Sequence, residues 1–268
     1  MTGVRVPRRL TAALALALLA ASPARADFEA GWEAYQRGDF AAALAAWRPL
    51  AAAGDARATY NLGVLYDEGK GVVRDDAKAV ELWRHAADKG FAPAQHNLAN
   101  SLIAGDGVAA DYREALAWMH RAADQGLARS QYTLGKMYAY GLGVARDPAQ
   151  AVGWIRKAAD SGDVRAQYNL GKMHRDGEGV ARDLGQSASW FRRAAERGYA
   201  QAQAALARRY AAGEGVARDP VQAMMWTVLA ARQGLERADA QRRSFAAQMS
   251  PDDIAQAEKL ADRWRPRP

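Results

Sequence analysis

Apolar and small residues in this chain recur at spacings of three and four, the pattern of helices buried along one stripe. Ala151, Trp154, Ala158 and Ala159 make up one such stripe, with the Trp as its large member and the alanines allowing close helix approach. Trp118, Trp190 and Trp226 stand at equivalent places, whereas the earliest copy has Leu82 there and Trp83 one residue later. Aromatics at this regular spacing read as core. A second kind of segment puts Leu62, Gly63 and Tyr66 on one helical face and Arg57, Tyr60, Val64 and Glu68 on the opposite one.

A longer period lies over the short one. Gly54, Gly90, Gly126, Gly162, Gly198 and Gly234 are 36 residues apart throughout. A period in the thirties filled with helix-length segments predicts one helical hairpin per repeat, each stacked on its neighbours to share a core. In the fourth copy the first helix is expected over 166–176, ended by Gly177 in a left-handed conformation. Gly179 and Val180 then lead to Asp183, whose carboxylate can accept from the free amides of the second helix. Asp147-Pro148 and Asp219-Pro220 place proline at the first helical position, where no amide donor is needed.

The shared frame is A-x-x-x-L-G-x-x-Y, then G-x-G-V, Asp, and A-x-x-W-x-x-x-A-A-x-x-G, with five full copies beginning near Ala56, Ala92, Ala128, Val164 and Ala200. This pattern resembles the Sel1-like repeat, a relative of the tetratricopeptide repeat. The resemblance implies an all-α fold, a right-handed α-α superhelical solenoid of hairpins of about 36 residues whose first helices line a concave side. Residues 27–55 are expected to form a tetratricopeptide-like N-terminal capping hairpin, with Trp47 aligned to Trp83. The five repeats occupy 56–235, and 236–268 supply C-terminal capping helices and a tail. Ser250-Pro251-Asp252-Asp253 starts a last helix, ending near Trp264, that covers the final apolar face.

The formal charge of +7 changes meaning once the N-terminus is read. Arg5, Arg8 and Arg9 precede an apolar run from Leu10 to Ala21, followed by Pro23 and Ala24-Arg25-Ala26. Residues 1–26 thus read as a cleaved secretory signal peptide. The run is too short for the roughly 20 residues that span a membrane. Removing these residues takes four Arg and no acid, so +7 becomes +3. That modest charge and the export signal argue against nucleic acid as partner. The expected location is periplasmic or secreted, with no stable membrane span after cleavage, and the absence of cysteine accords with core burial in place of disulfides.

Candidate chemistry is sparse. His85, His96, His120 and His174 include no i, i+4 pair of a helical zinc site, and no H-E-x-x-H occurs. No G-x-S-x-G elbow, cysteine nucleophile, Walker A loop or strand-borne dinucleotide fingerprint is present, and the G-x-G elements read as hairpin geometry. Asp67-Glu68 and Asp75-Asp76 lie at helix ends, where carboxylates cap or solvate. The expectation is a non-enzyme with no catalytic residues, metal or cofactor.

Carrying the face opposite Leu62 along the array yields the candidate binding surface. Tyr60, His96, Tyr132 and Tyr168 form one level, Asn100, Lys136, Lys172 and Arg208 a second, and Arg57, Arg129 and Arg165 a third. Aromatic, amide and cationic groups on one concave surface suit an extended peptide with acidic side chains or a free carboxylate. The function expected is an exported scaffold or adaptor mediating protein–protein interactions with one or more envelope proteins. The alternatives are binding of acidic polysaccharide and, behind it, a cell-wall-active enzyme.

Overall fold

The computed structural model describes the backbone of residues 23–267 and the side chains of 27–267. The targeting segment expected over 1–26 lies outside the described residues except for its last four positions, where the first helix has already begun. The described residues form fourteen helices and no strand. The first hairpin is α1 (Pro23–Gln36) and α2 (Phe40–Ala52). Five longer-looped hairpins follow: α3 (Ala56–Glu68) with α4 (Asp76–Asp88), α5 (Ala92–Ala104) with α6 (Tyr112–Asp124), and α7 (Ala128–Tyr140) with α8 (Pro148–Asp160). Then come α9 (Val164–Asp176) with α10 (Leu184–Glu196) and α11 (Ala200–Ala212) with α12 (Pro220–Arg232). The chain ends in α13 (Glu236–Ala246) and α14 (Pro251–Arg263). From α1 to α13 each helix packs on the next, and α14 turns back onto α12, so the described residues form an all-α solenoid.

Local chemistry sets the helix limits. Asp75, Asp111, Asp147, Asp183 and Asp219 each accept from a backbone N–H two or three residues on, starting the five second helices. Such a cap contributes about 1 kcal/mol. Each first helix ends on a left-handed glycine, as at Gly177 with φ 72°. The second glycine of G-x-G has a further task. A Cβ on Gly107 or Gly179 would lie 2.3 or 2.1 Å from the carbonyl oxygen of Asp76 or Pro148, at the start of the preceding repeat's second helix. The G-x-G element is therefore a stacking joint as well as a turn.

In three of the repeats a glycine on the first helix faces a large side chain on the second. A Cβ on Gly63 would meet Trp83 at 2.5 Å, on Gly135 Ile155 at 2.5 Å, and on Gly171 Phe191 at 2.7 Å. This corrects the stripe expected from Trp154. Trp118, Trp190 and Trp226 are buried, but Trp154 is only half-buried and Ile155 fills the core position instead. In the third and fourth repeats the innermost side chain is the one after the recurrent Trp, because that is where the glycine leaves room. The Trp rings lie beside it under cations: Arg121 over Trp118 at 4.5 Å, Lys157 over Trp154 at 3.8 Å and Arg193 over Trp190 at 4.4 Å.

A second periodic element ties repeat to repeat. Gln95, Gln131, Gln167 and Gln203 are buried, and each donates from Nε2 to the carbonyl of Ala87, Ala123, Ala159 or Ala195 at 3.1–3.3 Å. The N-terminal hairpin keeps the same internal register: Trp47 Nε1 donates to the Phe28 carbonyl at 3.3 Å just as Trp83 Nε1 donates to that of Tyr60 at 3.3 Å. At the other end Trp264 meets Trp226 edge-on at 6.0 Å. The tail continues onto the end of α10, where Arg267 donates its backbone N–H to the Glu196 carbonyl and pairs with its carboxylate, both at 2.8 Å.

Candidate ligand-binding face of the first helices

The aromatic level Tyr60, His96, Tyr132 and Tyr168 sits between neighbouring elements more than on open surface. Tyr60 meets Phe91 edge-on at 5.3 Å, and Tyr168 lies between Phe191 at 5.6 Å and Tyr199 at 5.5 Å. Tyr132 accepts from Asn169 Nδ2 at 2.9 Å and carries the Arg165 guanidinium 5.2 Å from its ring centroid. His96 is 7% exposed. Its Nδ1 bonds Ser130 Oγ at 2.9 Å and its Nε2 bonds Asn100 Nδ2 at 3.0 Å, a pairing that suits the neutral ring with its proton on Nδ1. Burial, with Arg129 and Arg165 nearby, pushes its pKa down to about 4.

The third level is held locally. Arg57 lies 4.3 Å from the Phe28 ring centroid and pairs with Asp55 at 3.5 Å. Arg165 pairs with Asp163 at 3.0 Å. Arg129 has a buried Nε with no hydrogen-bond partner among the described residues. These cations are anchored at the starts of the first helices.

Lys136 and Lys172 are different. Neither is in an ion pair among the described residues, and each ammonium is 5.9 Å from the ring centroid of the tyrosine one turn earlier, Tyr132 or Tyr168. A crevice of about 250 Å³ between α7 and α9 brings Tyr132, Lys136, Asn169 and Lys172 together. Tyr140, 69% exposed, stands at its rim. Asp176 and Glu178 also line it, but each is paired, with Arg175 and Arg146 respectively, both at 2.7 Å. The hydrogen bond from Arg175 holds the Asp176 carboxyl below its ordinary value. What remains uncompensated in the crevice is cationic.

Arg208 lies further along, outside this crevice. It is half-buried and makes no ion pair among the described residues. Burial pulls its guanidinium pKa down, and Arg237, Arg209 and Arg175 act in the same direction, while Tyr168 opposes them. Asn100 lines a different crevice, of about 280 Å³ between α3 and α5, with Asp67, Trp83, Asn97 and Asp106. Its lining residues sit 72 positions before those of the Lys136/Lys172 crevice: Asn97 answers to Asn169, Asn100 to Lys172 and Asp106 to Glu178. The same inter-repeat geometry is thus furnished twice with different side chains.

Several contributors were not among the residues singled out from sequence. Tyr140 and Asn169 enter the crevice, and Ser130 supports His96. Ser130 had a readable signal, since it replaces the frame alanine found at Ala58, Ala94, Ala166 and Ala202. The described residues contain no group of three or more His, Asp or Glu placed to hold a metal ion, and no helix long and apolar enough to cross a membrane.

The Sel1 repeat model matches residues 56–91, 92–127, 128–163, 164–199 and 200–235. Among solved structures, the chain is similar to a Sel1 repeat protein from Oxalobacter formigenes, at 31% identity over 88% of this chain and 96% of that one, with a TM-score of 0.78. It is also similar to c5321, a protective antigen of uropathogenic Escherichia coli strains displaying an SLR fold, at 27% identity over 90% and 68% of the two chains, with a TM-score of 0.38. Immunity protein Pa5087 from Pseudomonas aeruginosa matches at 24% identity over 78% and 79%, with a TM-score of 0.46. No curated protein matches the chain. Five consecutive repeat matches and a near full-length structural likeness make this chain a member of the Sel1 repeat family.

Proposed function

We propose that this protein is an exported, non-enzymatic adaptor of the cell envelope that captures partner proteins by acidic or carboxylate-bearing segments laid along its first helices. Sel1 repeat proteins mediate protein–protein interactions. The observation that carries the finer reading is the crevice between α7 and α9, where two uncompensated ammonium groups, an amide and an exposed tyrosine converge. Lysines there supply charge-assisted hydrogen bonds to carboxylates, and Tyr140 offers flat contact area at small entropic cost. The basic and apolar N-terminal residues support the export part of the reading.

The test is a titration of the protein, without residues 1–26, against a fluorescent glutamate-rich peptide, alongside the Lys136→Glu/Lys172→Glu double variant. We expect the double variant to weaken binding at least tenfold with unchanged helicity, and wild-type affinity to fall as salt is raised. Equal binding by both proteins would overturn the assignment. Acidic polysaccharide in the same titration decides the alternative, because a polymer bound better than any peptide would make it the ligand. A reporter that is active only after export, fused to the C-terminus, tests the location.

A further inference from the structure

One register position of the first helices, exposed or half-buried from copy to copy, changes steadily along the array. From α1 to α11 it reads Trp32, Val64, Asn100, Lys136, Lys172 and Arg208. Trp32 joins this row because the hydrogen bonds of Trp47 and Trp83 equate Phe28 with Tyr60, and Trp32 and Val64 each lie one turn further on. The row runs from aromatic through aliphatic and amide to three cations. Resting on the adaptor reading, we infer that the face recognises a polarised ligand: an extended peptide with an apolar anchor over the N-terminal hairpin and acidic residues over the third to fifth repeats.

The two ends are equipped accordingly. Trp32 is 39% exposed and stacks on Tyr35 with centroids 5.6 Å apart and planes 8° apart, a preformed aromatic plate. Lys70 lies 5.1 Å from the Tyr35 and Phe40 ring centroids, but Glu68 neutralises it at 2.9 Å, so it offers a ligand no free cation at this end. The stretch between repels acids. Asp67 and Asp106 line the crevice between α3 and α5, where burial raises the Asp67 pKa and nearby Asp76, Glu68 and Asp106 add to the effect against Arg74. An acidic ligand residue is therefore disfavoured there and favoured beside Lys136 and Lys172, which fixes direction as well as affinity.

Spacing defines the probe. Packed helices lie about 10 Å apart, and extended chain covers about 3.3 Å per residue, so Trp32 and Lys136, three first helices apart, are about nine residues of peptide from one another. The probes are synthetic peptides with a Leu-Trp pair, a neutral Ser/Thr spacer of about eight residues and four glutamates, made in both chain directions, plus a scrambled peptide of identical composition. A fourth peptide replaces Leu-Trp with Ser-Ser and needs no protein variant.

We expect one block peptide to bind at least tenfold tighter than both the scrambled and the Ser-Ser peptides, and Trp32→Ser to remove that advantage while leaving the Ser-Ser peptide's affinity unchanged. Equal affinities for block, scrambled and Ser-Ser peptides, with Lys136→Glu/Lys172→Glu still abolishing binding, would overturn the polarity and leave acidic capture standing. Retained binding by the charge-reversal variant, or no binding by any peptide, would overturn both.

Discussion

The crevice between α3 and α5 and the crevice between α7 and α9 are built on the same frame two repeats apart, yet one is acidic and the other cationic. Beneath both, the second glycine of the loop meets the carbonyl of the preceding repeat's second helix. On top, Asp67, Asn100 and Asp106 at one place become Ala139, Lys172 and Glu178 at the other, and the last is already paired with Arg146. In this array the residues that stack the repeats and those that line the crevices are different. Substitutions beneath the crevices should be interchangeable between the two sites, and substitutions on top should not.

The largest effect is expected at the joint. Gly107→Ala and Gly179→Ala each force a Cβ into a backbone carbonyl at 2.3 or 2.1 Å, at residues with φ of 70° and 71°. Strain and displaced backbone together should cost about 3 kcal/mol or more. Chemical denaturation should return similar losses for the two variants. Gly126→Ala is the control: its φ is 85° but nothing lies within 4 Å of the added methyl, so about 1–2 kcal/mol of backbone penalty is expected alone. A large difference between Gly107→Ala and Gly179→Ala would show that the two crevices do not share one frame.

Next comes acid, which should act on one crevice and spare the other. His96 bonds Asn100, a lining residue of the acidic crevice, while the corresponding ring at the cationic crevice is the phenol of Tyr168. With a folded pKa of about 4 against an ordinary value of 6.5, His96 binds its proton more readily in the unfolded chain. Stability is therefore unaffected above pH 6.5, declines as pH falls toward 4, and levels off below it, a loss of about 3 kcal/mol in all. Subtracting the pH profile of His96→Gln from that of the wild type cancels the carboxylates and isolates this term. A flat difference would mean that the ring protonates in place.

The legible part of this molecule was what repeats. Helix limits, capping aspartates and left-handed stop glycines follow from local backbone chemistry, so five copies of one solution could be read without coordinates. The row of Lys136 and Lys172 was readable for the same reason, through helical phase. What escaped were relations between neighbouring turns and helices. That Ile155 and not Trp154 is innermost depends on the space left by Gly135 across the hairpin. That His96 is buried depends on Ser130, one repeat away. That Asp176 leaves Lys172 a cationic surface depends on its bidentate hold by Arg175.

A smaller effect should follow from making the second crevice resemble the first. Lys136→Val with Lys172→Asn installs the residues found at Val64 and Asn100, a change confined to surface and half-exposed positions. Folding stability should stay within about 0.5 kcal/mol. Affinity for a glutamate-rich peptide should fall about tenfold per lysine removed, roughly 1.4 kcal/mol each. Calorimetric titration measures both the loss and its additivity. Unchanged affinity would place acidic recognition elsewhere on the array.

The finest distinction lies inside the shared frame, in how the buried glutamines are satisfied. Gln95 and Gln203 use both ends of the amide: each donates to a helix carbonyl, and each Oε1 accepts at 2.8 Å from a glutamine 30 positions later, Gln125 or Gln233. Gln131 makes the donor bond, but its Oε1 is buried without a partner, because position 161 is serine and too short to reach. Ser161→Gln copies the arrangement of the second and fifth repeats into the third. The new side chain is exposed at its base and needs only the rotamer Gln125 already adopts, so one net hydrogen bond, about 1 kcal/mol, should be gained. The gain should vanish when Gln131→Leu is added, since the acceptor is then gone. A double-mutant cycle showing no coupling would mean that the packing within the third repeat differs from that within the second and fifth, and that the frame is less uniform than its glycines imply.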